Sequence, residues 1–311
     1  MERFASGWKR HYYGKGDVSV YRLFRDRATS AAANEPPVFG ANVTILVYGD
    51  AFWPTYTTGD NSGLIATDSM KNFVQRETLD FRGSQLEDYC RHLGRKFLDK
   101  YHHVEGVQVS AVEIPYAPLA AGLTGEAEQS GDAGWSVAFA PGGPEQATAQ
   151  VEIGAKGLVD VVSGLRGFKL LRLAGSAFHG FVRDEYTTLP DLFDRPLHMW
   201  LDLEWRYVDP QAAFEATRTV AHARRIVREV FEGFESGSIQ QVIYQMGTTL
   251  LNELRELSEV HLEANNRTWD TIAERGRTIG VYTDPRPPFG CLGLCLRRDA
   301  EGALRGATQS R

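Results

Sequence analysis

Apolar residues recur along this chain at two spacings, every second position in some stretches and every third or fourth in others, marking strands and helices respectively. Val18 and Val20 fall among polar neighbours, and Val43, Ile45 and Val47 alternate with Thr44 and Leu46, which predicts two strands joined by a loop over 28–37. Leu64-Ile65 reads as a strand end delivering Thr67 or Asp68 to a helix N-cap. Ser84 and Glu87 have capping-box spacing ahead of Leu86, Tyr89, Cys90, Leu93, Phe97 and Tyr101, an amphipathic helical stripe. Gly106 stops that helix, and the Val-rich stretch Val107 to Ile114 is a further strand.

The second half repeats this order. Strand patterns occupy Gly157–Leu173 and Arg195–Val208, where Leu197, Met199, Leu201 and Leu203 alternate with His198, Trp200, Asp202 and Glu204. Pro210 opens a helix carrying Phe214, Val220, Ile226, Val230 and Phe234, and Ser238 caps another carrying Val242, Met246, Leu250 and Leu254. Val260–Ala264 and Tyr282 to Leu296 supply the last strands. Residues 119–147, rich in Gly, Ala, Pro and Glu, read as a loop or hairpin insertion at a domain junction, so the expected domains are 1–150 and 151–311. The pattern is that of a duplicated strand-strand-helix-helix-strand-strand unit of the α+β class. Such antiparallel units leave a sheet face and strand edges open, which predicts self-assembly.

Composition narrows the function. At 311 residues, 42% hydrophobic and 24% charged, the chain suits two globular domains, and no apolar run approaches the ~18 residues a membrane span needs. A net charge of -6 without a basic, aromatic-laced stripe argues against nucleic acid as a partner. Three cysteines (Cys90, Cys291, Cys295) are too few for a disulfide framework, and the Met1-Glu2-Arg3-Phe4 start has no apolar signal core, so a soluble cytoplasmic protein is expected. Cys291 and Cys295 lie four apart without further ligands and are expected to be buried small hydrophobes rather than part of a metal site.

The polar stretch Asp60-Asn61-Ser62, then Ala66-Thr67-Asp68-Ser69-Met70-Lys71-Asn72, interrupts the apolar alternation. A second block runs Phe178-His179-Gly180-Phe181-Val182-Arg183-Asp184-Glu185-Tyr186-Thr187-Thr188-Leu189, followed by Asp194-Arg195. Together with Tyr13-Gly14-Lys15, Ser238-Ile239-Gln240 and the tail Tyr282-Thr283-Asp284-Pro285-Arg286-Pro287-Pro288-Phe289-Gly290, these motifs resemble the urate oxidases, the cofactor-independent uricases, in their bacterial branch. The resemblance spans nearly the whole chain and lapses mainly in 119–150. It implies tandem tunnelling-fold (T-fold) domains whose sheets close a barrel on oligomerisation, and a homotetramer with active sites at subunit interfaces. The ending Gln309-Ser310-Arg311 is not the Ser-Lys-Leu signal of peroxisomal proteins, whereas eukaryotic members of the family are typically peroxisomal.

By the resemblance, Lys15 and Thr67 form a proton relay, and Thr67, Asp68, Phe178, Arg195, Ile239, Gln240 and Asn266 bind substrate. Phe178 offers a flat apolar face to a purine, Arg195 a planar bidentate clamp for an anion, and Gln240 both a donor and an acceptor near a helix N-terminus. Ile239 contributes its backbone N–H, and Asn266 faces the dioxygen or water position. The implied reaction takes urate, dioxygen and water to 5-hydroxyisourate and hydrogen peroxide with no bound cofactor and no metal. No dinucleotide fingerprint, phosphate loop, zinc-protease motif or nucleophile elbow competes with this reading. One departure is that Asn265-Asn266-Arg267-Thr268 lacks the histidine that many uricases carry beyond the asparagine, and Arg267 is permanently protonated. The alternative that this motivates is a T-fold purine-binding protein that has lost catalysis.

Overall fold

The computed structural model describes residues 9, 11–33, 35–119, 136–276, 278–299 and 303–306, and the chain divides into two units, Met1–Ser163 with Asp209–Thr217 and Gly164–Val208 with Arg218–Arg311. In the first, β1 (Tyr13–Leu23), α1 (Arg27–Ala33) and β2 (Val38–Tyr48) are followed by a 3₁₀ turn at Asp50–Phe52 and α2 (Trp53–Thr57). Helices α3 (Thr67–Asp80) and α4 (Leu86–Lys100) precede β3 (Gly106–Glu113), β4 (Tyr116–Pro118), β5 (Phe139–Pro141), β6 (Gln146–Gly154) and the start of β7 (Gly157–Arg172). The sheet order β1-β2-β3-β6 is antiparallel throughout. Val43, Ile45 and Val47 of β2 and Val107 and Val109 of β3 are fully buried, as are Met70, Val74, Tyr89, Leu93 and Phe97 of the two helices. Each large side chain of this kind contributes about 1.5–3 kcal/mol by leaving water.

In the second unit the rest of β7 and β8 (Leu197–Tyr207) come first; α5 (Ala212–Glu215) belongs to the first unit, and α6 (Thr219–Gly233), α7 (Ile239–Glu253) and β9 (Leu257–Thr268) follow. A two-stranded ribbon of β10 (Thr271–Arg275) and β11 (Ile279–Tyr282), then β12 (Arg286–Arg298) and β13 (Leu304–Gly306), complete it. The sheet order here is β7-β8-β9-β12-β13. On β8 the alternation is as expected: Leu197, Met199, Leu201, Leu203 and Trp205 are buried.

The duplication is visible in detail. α4 and α7 both have 15 residues, and in each the ninth is a glycine, Gly94 and Gly247. A Cβ on Gly94 would lie 2.9 Å from Ile153, and one on Gly247 2.9 Å from Leu296, so both helices settle onto their sheets at the same point. Among the described residues no helix is long and apolar enough to cross a membrane.

Several expectations are corrected. Residues 28–37 hold α1 rather than only a loop. Gln85, not Ser84, is the N-cap of α4, and no side chain caps it. Glu87 is instead buried at 5% exposure and accepts a 2.5 Å hydrogen bond from Ser163 Oγ, a long-range contact that local spacing cannot reveal. The helix expected from Pro210 is broken at 216–218. The cation of Arg91 on α4 lies 3.7 Å over the Phe214 ring of α5, while α6 packs on α7. Apolar spacing continued through the break because both segments bury a face. Strand β6 and the β10–β11 ribbon were not anticipated. Cys291 is exposed, and only Cys90 of the three thiols is buried. Residues 120–135 of the 119–147 segment lie outside the described residues, and β5, within the segment, pairs antiparallel with β4 just before it.

Candidate active site

In the first unit the start of β1 and the start of α3 carry the motif residues. The β1–β2 register shifts between Lys15 and Val18, where Asp17 has φ 58°, so the strand bulges just after Lys15. Gly14 is required by close approach: a Cβ there would fall 1.9 Å from the Ile45 carbonyl oxygen. Next to it, the Tyr13 hydroxyl accepts a 2.9 Å hydrogen bond from Ile65 N–H, while its ring meets Phe52 edge-on at 4.9 Å. Burial raises the Tyr13 pKa, so the phenol stays protonated at ordinary pH.

The segment before α3 is fastened at successive points. Thr55 Oγ1 donates to the Asp60 carbonyl at 3.0 Å, Asp60 Oδ1 accepts from Ser62 N–H at 2.9 Å, and His103 Nε2 bonds the Gly63 carbonyl at 3.0 Å. These contacts deliver Thr67 to the first position of α3. The expected side-chain cap is absent, because the N-cap is Ala66, which has no side-chain oxygen. Thr67 is exposed, and its hydroxyl has no hydrogen-bond partner among the described residues. The Asp68 carboxylate is committed to its own helix, to Lys71 Nζ at 2.5 Å and Asn72 Nδ2 at 3.0 Å. Lys71 holds its pKa down, with Lys15 as a smaller contributor, which places Lys15 within electrostatic reach of the α3 N-terminus. What Asp68 has to offer a ligand is therefore its first-turn backbone N–H.

In the second unit Phe178, Arg195 and the start of α7 are drawn together through Ser176 and Ser236. Arg195 N–H donates to the Ser176 carbonyl at 2.9 Å, Ala177 N–H to the Ser236 carbonyl at 2.7 Å, and Phe178 exchanges backbone hydrogen bonds of 2.6 and 2.9 Å with Leu192. The Arg195 guanidinium carbon sits 5.8 Å from the Phe178 ring centre, and Phe181 stacks on Phe178 at 4.9 Å. Asp194 does not pair with Arg195; it accepts Gly175 N–H at 2.8 Å. Arg195 is half-buried, its Nε is buried without an acceptor, and no carboxylate pairs with it among the described residues. Desolvation lowers its pKa, which still leaves it cationic. It is a desolvated cation without a counter-ion among the described residues.

Behind this segment, buried Arg172 donates to the carbonyls of Glu232 (2.8 Å) and Phe234 at the end of α6. Ser238 caps α7 by accepting Gln241 N–H at 3.2 Å, and Gln241 Oε1 accepts Gly237 N–H at 2.8 Å. That reciprocal cap leaves Gln240 exposed with its amide uncommitted and the N–H groups of Ile239 and Gln240 unpaired in the first turn, while the Ile239 side chain is buried. Asn266 stands half-buried on β9 opposite Met199 and Gly290. Arg267 is held between Trp200 and Phe289, its guanidinium carbon 3.8 and 4.1 Å from the two ring centres.

Sequence reasoning missed Arg172 and the Gln241 cap, and left His103 without a role. The Ser-x-x-Gln spacing of Ser238 and Gln241 was a legible signal for the cap. Nothing local marks Arg172, whose partners lie 60 and 62 residues away.

A family model described as Uricase matches residues 11–138 and 161–290. The uric acid degradation bifunctional protein of Bacillus sp. (strain TB-90) is 36% identical over 90% of this chain, and PucL of Bacillus subtilis (strain 168), likewise a uric acid degradation bifunctional protein, is 33% identical over 96%. The chain spans only 58% and 63% of those two proteins. Against the uricase of Haloferax volcanii it is 34% identical, covering 89% of this chain and 95% of that one. A hyperthermostable mutant of Bacillus sp. TB-90 urate oxidase superposes with TM-score 0.80 at 33% identity, covering 93% of this chain and 98% of the other. The crystal structure of a uricase from Bacillus fastidious gives TM-score 0.80 at 34% identity over 93% and 94%. The α+β architecture is thus the tandem tunnelling fold that the motifs implied.

Proposed function

Because this chain belongs to the uricase family, we propose that it is a urate oxidase, converting urate, dioxygen and water to 5-hydroxyisourate and hydrogen peroxide as a cytoplasmic homotetramer with active sites at subunit interfaces. The observation that carries the reading is Arg195, a desolvated guanidinium beside an aromatic ring with no carboxylate partner among the described residues. A planar anionic heterocycle supplies both missing partners: oxygen acceptors for the two-pronged guanidinium and a flat face for Phe178, on the side opposite Phe181. Ile239 N–H and the Gln240 amide complete the recognition of the purine edge, aided by the positive end of α7. Asp68 N–H at the head of α3 of a neighbouring subunit does the same.

Thr67 and Lys15 carry the proton. Urate must lose a proton before it passes electrons to oxygen, and water must be activated to attack C5. The Thr67 hydroxyl is uncommitted to its helix, and Lys15 tunes its acidity by proximity. Asn266 orients dioxygen and then water. Urate itself supplies both electrons, so the bonds balance without a further reductant. Arg267, stacked between two rings, does not take the place of a relay histidine.

Loss of urate absorbance with purified, metal-stripped protein, together with stoichiometric peroxide, tests the proposal. Dependence on added flavin or metal would overturn the mechanism. Tight urate binding without peroxide would overturn the activity.

A further inference from the structure

The helix-free face of the second unit's sheet carries a cluster that the reaction does not use. On β8, Leu197, Met199 and Leu201 are buried, so His198 and Trp200 project from the opposite face. His198 and Arg267 sit one residue beyond the paired Met199 and Asn266, and Phe289 one residue before Gly290, so the three are neighbours across β8, β9 and β12. The Arg267 guanidinium carbon lies over both the Trp200 and the Phe289 rings, at 3.8 and 4.1 Å from their centres, so aromatic faces take up its flat surface and leave its N–H edges for a ligand. Lys169 Nζ lies 4.8 Å from the Trp200 ring centre, and Trp269 stacks on His198 at 5.7 Å.

This cluster holds donors and cations but no carboxylate pairs with them among the described residues. Arg267 Nε, Trp200 Nε1 and His198 Nδ1 are all buried without a hydrogen-bond partner, and neither Lys169 nor Arg267 pairs with a carboxylate among the described residues. Buried N–H groups in folded proteins are nearly always paired, so the two orphaned donors of Arg267 and Trp200, beside His198 Nδ1 and two positive charges, define what should meet them. The carboxylates on the neighbouring elements do not pair with these cations among the described residues. On β8, Asp202 accepts Gly167 N–H at 2.7 Å; on β9, Glu263 lies four residues from Arg267; and beside Trp269, Asp270 pairs with Arg286 at 2.7 Å. Burial, then Arg267 and Lys169, depress the His198 pKa, so the ring is neutral at neutral pH and adds a donor or acceptor without a third charge.

We propose that this niche binds a small oxyanion, of the phosphate, sulfate or carboxylate kind, through Arg267 Nε–H and the Trp200 indole N–H, with Lys169 as the second cation. Cation–π packing alone explains the stacked guanidinium but leaves both edge donors unexplained.

Calorimetric titration of the full chain with inorganic phosphate, and separately with acetate, at constant ionic strength tests this. One saturable site per chain is expected, with the two arms deciding between an inorganic and a carboxylate ligand. Trp200→Phe keeps the ring and removes one donor, so it should weaken binding by about 3- to 10-fold, and Arg267→Met by more than about 10-fold. Phosphate should also raise the Tm of the wild-type chain but not of Arg267→Met. Because Arg195 also attracts anions, the titration is repeated on Arg195→Met, where the site should persist. No saturable heat with either anion in the wild-type chain would overturn the proposal. So would binding lost in Arg195→Met yet unchanged in Trp200→Phe. If Arg267→Met does not fold, Trp200→Phe and Arg195→Met decide.

Discussion

Replacing Arg195 by Met should make this protein more stable and a poorer binder of urate at once. The guanidinium is half-buried, and among the described residues its Nε has no acceptor and no carboxylate neutralises it. Leaving a buried charged donor unsatisfied costs about 1–3 kcal/mol, and Met keeps the aliphatic stem while removing that cost. Allowing for the part of the group that water still reaches, a gain of about 1 kcal/mol is the expectation, or about 1–2 °C in Tm for a chain of this size. With urate present the sign reverses: the charged hydrogen bonds lost are worth about 1.5–3 kcal/mol, or about 10- to 150-fold in Kd. Arg195→Lys should fall between, keeping the charge but only one arm of the clamp. Thermal melts without ligand and urate binding under anaerobic conditions, where turnover cannot proceed, separate the two effects. A Met variant that is less stable than wild type by 1 kcal/mol or more and binds urate normally would show that Arg195 is a structural residue.

Four further outcomes follow from the same geometry. Thr67→Val removes a hydroxyl that caps nothing, so it should leave melting unchanged while kcat drops about 10²- to 10⁴-fold; an active Val variant in a stopped-flow urate assay removes Thr67 from the relay. If sites are shared between subunits, refolded mixtures of Thr67→Val and Arg195→Met chains should regain turnover, and mixtures no better than either alone would place each site within one chain. Glu87→Gln tests a pH effect. Burial raises the Glu87 pKa, so its favourable contribution is complete below the unfolded carboxylate pKa and is lost as pH rises through the folded one. Denaturant melts should therefore show the wild type losing stability relative to the Gln variant from acid toward neutral pH, and a difference that is flat with pH would refute the assignment. Gly14→Ala puts a Cβ 1.9 Å from a backbone carbonyl, so β1 and β2 must part beside Lys15; the variant should melt lower and turn over slowly, and wild-type behaviour in both assays would contradict the close approach.

The sequence by itself determined the element types and the identity of the motifs. The period-two runs of β2 and β8 and the Ser238-capped stripe of α7 appear in the structure as read, because burial on one face of a regular element leaves its period in the local sequence. Fold class and family were legible for a related reason: chemistry-bearing residues cluster in short contiguous blocks around Thr67, Phe178 and Arg195. Tertiary structure decided what each polar side chain does. Spacing offered Glu87 to a helix cap, but Ser163, 76 residues on, claims it in the core. Thr67 was legible as a cap, yet Ala66 holds that position and the hydroxyl is left to other work. Asp194 precedes Arg195 in the chain, and only the fold shows Asp194 turned to Gly175 and the guanidinium without a carboxylate among the described residues. Arg267 read as a departure from a motif, and it took three adjacent strands to show it between two rings. A hydrogen bond or ion pair depends on distance in space, and strand order sets that distance without leaving any period in the chain.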